Sequence, residues 1–190
     1  MLAFVVLAIA IFSRIYPHLL HGTGMNFTAV GGGLLFFGSQ LGTHHATRTR
    51  TALKFLAGMA ALAATDYYLT VYAYAYPFHL SGYVVTWLWY AGVCLLGMGM
   101  LRKPSILRVA AGVLASATSF FLVSNFIVWA GGHMYAPTLA GLSSCYLAAI
   151  PFYRNDVVST AITAGALFGL PALAWRIVES LHPERKHAQL

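Results

Sequence analysis

Between Lys54 and Arg102 the chain carries one charged side chain, Asp66, and between Arg108 and Arg154 it carries none. Uncharged stretches of that length cannot face water over their whole surface, so they need a core far larger than 190 residues supply, or a lipid solvent. Composition decides between the two. Hydrophobic residues make up 59% and charged residues 8%, against roughly 45–50% and about 25% in an average globular domain. Four acidic and eleven basic side chains cannot clothe a soluble domain, and the same figures exclude disorder, collagen-like repeats and coiled coil. The expectation is an all-α integral membrane protein, one transmembrane domain over residues 1–190.

A bilayer core of ~30 Å takes about 20 helical residues per crossing. Six apolar stretches meet or approach that length, at 2–16, 27–42, 53–73, 83–101, 107–130 and 157–178. Strand-like alternation is absent, which argues against a β-barrel. The first stretch lacks the basic leader and small-residue cleavage pattern of a signal peptide, so it reads as a retained helix.

Charge placement orients the bundle. Arg48, Arg50, Lys54, Arg102, Lys103, Arg108, Arg176, Arg185 and Lys186 fall at one end, and only Arg14 and Arg154 at the other. By the positive-inside bias both termini are cytoplasmic, which predicts a multi-pass protein of the bacterial inner membrane. The net charge of +7 is not a nucleic-acid signature, because the basic residues sit in short clusters without a continuous stripe.

The outer connections are then 17–26, 74–82 and 131–156. They are long and aromatic, and they hold His18, His21, His79 and His133. Within the last, the stretch ending at Pro151 is too short to cross. It is predicted to form an extra interfacial or re-entrant helix lying over the bundle as a lid. Small residues mark close helix approaches at Gly31, Gly32 and Gly33, at Ala57, Ala61 and Ala64, and at Ala161, Gly165 and Gly169. These faces serve packing within the chain or docking of another subunit.

Asp66 is the acidic residue that stands well inside an apolar run. A carboxylate there needs a partner, for which Arg14 is the charged candidate and Asn125 the neutral one. Imidazoles from three outer connections suit zinc, copper, nickel or cobalt. None shows the helical spacing of a dedicated zinc site, so sparse axial ligation of a cofactor-bound metal fits better. His44, His45, His182 and His187 lie on the cytoplasmic side and read as bystanders. Cys94 reads as a core residue, and Cys145 as buried packing or a soft ligand. No hydrolytic triad, phosphate-binding loop, dinucleotide fingerprint or HExxH motif occurs, and the chain is not expected to be an enzyme.

Several blocks together resemble a known group. They are Arg14-Ile15-Tyr16-Pro17-His18, Asn26-Phe27-Thr28, the buried Asp66, Asn125-Phe126-Ile127-Val128-Trp129, and the long block from Met134-Tyr135 through Thr138–Leu142, Cys145-Tyr146 and Ala149–Phe152 to Asn155. This combination is similar to a family of small bacterial six-helix membrane proteins that itself resembles BtuM-like solitary cobalamin transporters, relatives of the S components of energy-coupling-factor systems. The resemblance implies a six-helix S-component-type bundle with an outward-facing site for cobalamin or cobinamide as bound substrate, and no cofactor of its own. In that group a cysteine after the third helix and a histidine near the first connection ligate cobalt. Here the segment Thr70–Tyr83 has no cysteine, so the resemblance moves the axial role to His79, with His18 or His21 as second ligand. The missing thiolate puts the group's cyanide-removing chemistry in doubt.

A corrinoid site needs aromatic walls and amide partners. The candidates are Asn26, Asp66, Tyr72, Tyr76, Trp87, Asn125, Tyr135 and Asn155. The function expected is therefore substrate binding and uptake of a corrinoid. The alternatives are transport of another small nutrient or metal chelate, or a non-transporting assembly factor. The expected partners are the lipid bilayer, the small-molecule substrate and no nucleic acid. A separate energising membrane protein is an option; otherwise the chain is solitary.

Overall fold

The computed structural model describes residues 1–19, 27–41, 47–132 and 134–181, with residues 16–19 described by their backbone alone. Among the described residues every regular element is helical. The order is α1 (Leu2–Leu19), α2 (Val30–Leu41), α3 (Arg48–Tyr68), α4 (Leu80–Met100), α5 (Ile106–Gly131), α6 (Leu139–Ala164) and α7 (Leu170–Leu181). A π-helical turn, Leu69–Ala73, extends α3, and another, Gly165–Gly169, joins α6 to α7.

Helix starts follow side-chain capping. Thr47, Ser105 and Thr138 each stand in extended conformation and accept a backbone N–H from three residues on, opening α3, α5 and α6. Each cap satisfies a donor that the first helical turn leaves unpaired.

The centre of the fold is α2, in which all residues but Gln40 are buried. At twelve residues it is ~18 Å long, short of a ~30 Å crossing. It is sheathed by α1, α4, α5 and α6 instead of lipid. Its glycines make this possible. A Cβ on Gly38 would stand 2.0 Å from the Cys94 carbonyl oxygen, and one on Gly97 of α4 would stand 2.2 Å from that of Leu35. Gly31 similarly faces Thr160 of α6, and Gly33 faces Ala10 of α1. Backbone-to-backbone approach thus bolts α2 to α4.

Among the described residues three helices are long and apolar enough to cross a membrane: Leu80–Met100, Ile106–Gly131 and the continuous rod Leu139–Leu181. Segments Leu2–Ile15 and Val30–Leu41 are apolar but shorter. Outward-facing Leu88, Leu95, Leu114, Leu122, Ile127 and Ile162 are exposed, as a lipid-facing surface requires.

The rod corrects the expected lid. Residues on both sides of Pro151 belong to one helix, and 43 residues make it ~65 Å long. Proline deletes one backbone donor and tends to break a helix, but neighbouring helices can hold such a helix together. Here α5 grips α6 on both sides of Pro151. The Cys145 thiol and the Tyr146 hydroxyl donate to the carbonyls of Asn125 and Leu122, the latter at 2.7 Å, while Tyr153 hydrogen-bonds Thr118 at 2.9 Å. A lid folded away at Pro151 would forfeit one of these sets.

The small-residue stripes divide. Gly31, Gly32 and Gly33 pack inside the chain, whereas Ala57, Ala64, Ala161, Gly165 and Gly169 do not. The packed face of α3 is Gly58, Leu62, Thr65 and Asp66. Beyond Gly169, α7 buries no residue.

Candidate functional site

Asp66 is 3% exposed and forms an ion pair with Arg14 of α1. The Trp87 indole N–H donates to its Oδ2 at 2.9 Å, and the Tyr90 hydroxyl approaches Oδ1 at 3.5 Å. The Arg14 guanidinium stands 5.8 Å from the centre of the Tyr90 ring, a cation–π distance. One turn on, the Thr70 hydroxyl donates to the Asp66 carbonyl at 2.7 Å and pairs with the Tyr83 hydroxyl. Removing two charges from water costs several kcal/mol per ion unless the remaining lone pairs are satisfied. Both Asp66 oxygens meet that requirement. Among the described residues, Nη1 of Arg14 is buried without a partner.

Arg14, Asp66, Tyr83 and Tyr90 border a cavity of about 290 Å³ to which α1 through α6 all contribute. Arg14 and Asp66 form one charged part of its lining, and Tyr83, Trp89, Tyr90 and Phe120 supply rings. Asp156 of α6 is a second carboxylate on the same cavity. The Thr160 hydroxyl makes a long contact with its Oδ1, 3.5 Å. A second cavity of about 200 Å³ lies between α5 and α6 and is also lined by Asp156, together with Phe120, Phe121, Phe152, Tyr153 and Asn125. A third, about 170 Å³, adjoins Thr86, Trp89 and Phe120. Phe120 borders all three.

The residues expected to form the site separate into four groups. Asp66 lines the central cavity, Trp87 holds Asp66, and Asn125 lines the α5–α6 cavity. Tyr72 and Tyr76 are each 69% exposed and border none of these cavities. Tyr135 and Asn155 are half-buried and also stand outside the three linings. Asn26, His21, His133 and the side chain of His18 lie outside the described residues.

His79 is exposed at the N-terminus of α4 and makes no capping bond. It borders none of the three cavities. Among the described residues no group of three or more His, Cys, Asp or Glu could hold a metal. Both cysteines are free and buried.

Asp156, Tyr90 and Phe120 escaped the sequence reading, and Tyr83, Trp89 and Tyr153 were legible only as members of the outer aromatic cluster. Their signal was helical spacing: Ala149, Phe152, Tyr153 and Asp156 recur at i, i+3, i+4 and i+7, one face of a helix. Taking Pro151 as a terminator assigned Asp156 to a loop and hid that face.

Residues 1–181 match the model of a family of unknown function, DUF6580. The chain belongs to that family. The DUF6580 match spans α1 through α7 and so includes every residue of the cavities above. No curated protein and no solved structure matches the chain.

Proposed function

We propose that this protein is a substrate-binding membrane transporter that takes a small nutrient into the cavity beside Arg14 and Asp66. One observation carries the reading: a hollow of about 290 Å³ with charged and aromatic lining is built jointly by six helices. A polar hollow among otherwise apolar helices is costly to keep, and intramembrane ionisable groups of this kind mark substrate or ion pathways. Shared walls also mean that a small shift of any one helix changes the site, which suits passage by conformational exchange. In this reading the chain crosses the bacterial inner membrane six times, with α2 as a short pass wrapped in protein. Both termini are cytoplasmic. The cavity then opens toward the outer side, opposite the basic ends of α3 and α5.

A corrinoid is the larger-guest version of the same proposal and is supported by the sequence resemblance. It requires an axial donor at the cavity and a wide mouth. His79 is not among the residues that line the hollow, and pockets of ~300–1,000 Å³ already suffice for drug-sized molecules. The geometry therefore favours a guest much smaller than a corrinoid.

The two versions separate by spectroscopy. Protein purified from cells supplied with cobalamin, or mixed with cobinamide, retains corrin absorption bands if the larger guest is right, and those bands shift on His79→Ala. A colourless preparation, together with saturable uptake of a small solute into proteoliposomes that is lost on Thr86→Trp, supports the smaller guest. Failure of both overturns transport.

A further inference from the structure

The α5–α6 cavity has the makings of a cation cage. Four rings, Phe120, Phe121, Phe152 and Tyr153, line it together with one carboxylate, Asp156. Ring faces carry negative quadrupole potential and attract cations most strongly where water is scarce. The charges agree. Arg14, the one cationic side chain on the two cavities that Asp156 borders, is engaged by Asp66. Two carboxylates and one guanidinium leave the joined lining one negative charge in excess. Apart from the 3.5 Å contact from Thr160, Asp156 has no ion-pair partner among the described residues, and a half-buried carboxylate without a counter-ion is unfavourable.

From this arrangement we infer that the protein binds a small organic ammonium ion, primary or quaternary, between α5 and α6, with Asp156 as its counter-charge and the four rings as its cage. The inference rests on the transporter reading and names its substrate class. Asp156 borders both cavities, so a cation held there sits at the passage between the α5–α6 cleft and the central hollow. The volume of about 200 Å³ admits a compact ammonium. Asn125 also lines this cavity; its amide nitrogen donates to the Phe121 carbonyl at 2.7 Å, and an amide oxygen can accept a hydrogen bond from a primary ammonium.

The test uses the full chain in nanodiscs, with methylammonium, choline and tetraethylammonium as probes and 3,3-dimethylbutanol as the uncharged shape mimic of choline. Binding is read by calorimetry, and uptake of labelled choline is read separately in proteoliposomes. At least one ammonium probe binds saturably, the uncharged mimic binds at least tenfold more weakly, and Asp156→Asn weakens the ammonium at least tenfold. Phe152→Leu, at a ring that is 41% exposed, weakens it severalfold and replaces the Asp156 variant should that one not fold. No saturable binding of any ammonium by monodisperse protein, or equal affinity in Asp156→Asn and Phe152→Leu, overturns the cation site. Binding without uptake keeps the site and removes transport. Uptake of an uncharged solute by Asp156→Asn, without ammonium binding by the unaltered chain, does the reverse.

Discussion

Arg14 and Asp66, 52 residues apart in sequence, meet as an ion pair that ties α1 to α3, and the Trp87 indole N–H, 2.9 Å from the same carboxylate, brings in α4. One buried group therefore joins three helices at one end of the bundle. Whichever partner is removed, the other keeps its charge among packed helices without its counter-ion.

Breaking that pair is consequently expected to cost more than removing it. Arg14→Met or Asp66→Leu alone should destabilise the fold by about 3–5 kcal/mol, the usual penalty for stranding a buried charge. The double variant should recover a large part of the loss. Detergent-solubilised protein heated in steps and assayed for its monodisperse fraction gives the comparison. Additive losses in the double variant would mean that the two side chains act independently.

Glycine positions on α4 should differ sharply. Gly97→Ala drives a methyl to within 2.2 Å of the Leu35 carbonyl oxygen, while a Cβ on Gly92 meets nothing within 4 Å. The first substitution is expected to destabilise by about 1–3 kcal/mol through overpacking. The second should be neutral or stabilising by up to about 1 kcal/mol, since alanine is the better helix former. The same heating assay reads both, and equal effects would refute the close α2–α4 crossing.

Continuity of the α6 rod is measurable as a distance. Spin labels on exposed Ser144 and Ile162 should lie ~27 Å apart along an unbroken helix, from 1.5 Å per residue. A segment folded back at Pro151 would bring them much closer. Pro151→Ala should leave the distance unchanged and raise thermal stability, because it restores a backbone donor.

Ala75 has a φ of 54°, the one positive φ outside glycine among the described residues. It sits inside a turn in which the Tyr74 and Tyr76 amides bond back to Leu69 and Thr70. Left-handed backbone costs alanine about 1–2 kcal/mol, and glycine returns part of that gain through its freer unfolded chain. Ala75→Gly should stabilise by about 0.5–1 kcal/mol. A drop in the midpoint would show that the connection does not hold this conformation.

Much of the helical class was readable before any coordinates. Runs such as 83–101 and 107–130 coincide closely with α4 and α5, because their uncharged length admits only a helix in lipid. Arg14 was readable as the charged candidate for Asp66 beside the neutral Asn125, and only the coordinates show that Arg14 makes the pair. Pro151 misled for a local reason. Proline is a helix breaker when judged by its own backbone, and only the contacts of Cys145, Tyr146 and Tyr153 with α5 reveal why the helix continues.

Sequence alone thus determined the solvent and the element type, because both depend on local composition: charge-free runs of about twenty residues and the caps that open them. Tertiary structure alone decided that α2 is a sheathed core helix, that Asp156 faces a hollow, and that His79 is not part of its lining. Those outcomes depend on which helix faces meet. That is set by backbone approaches such as Gly38 to Cys94, between residues far apart in the chain, and no local periodicity encodes them.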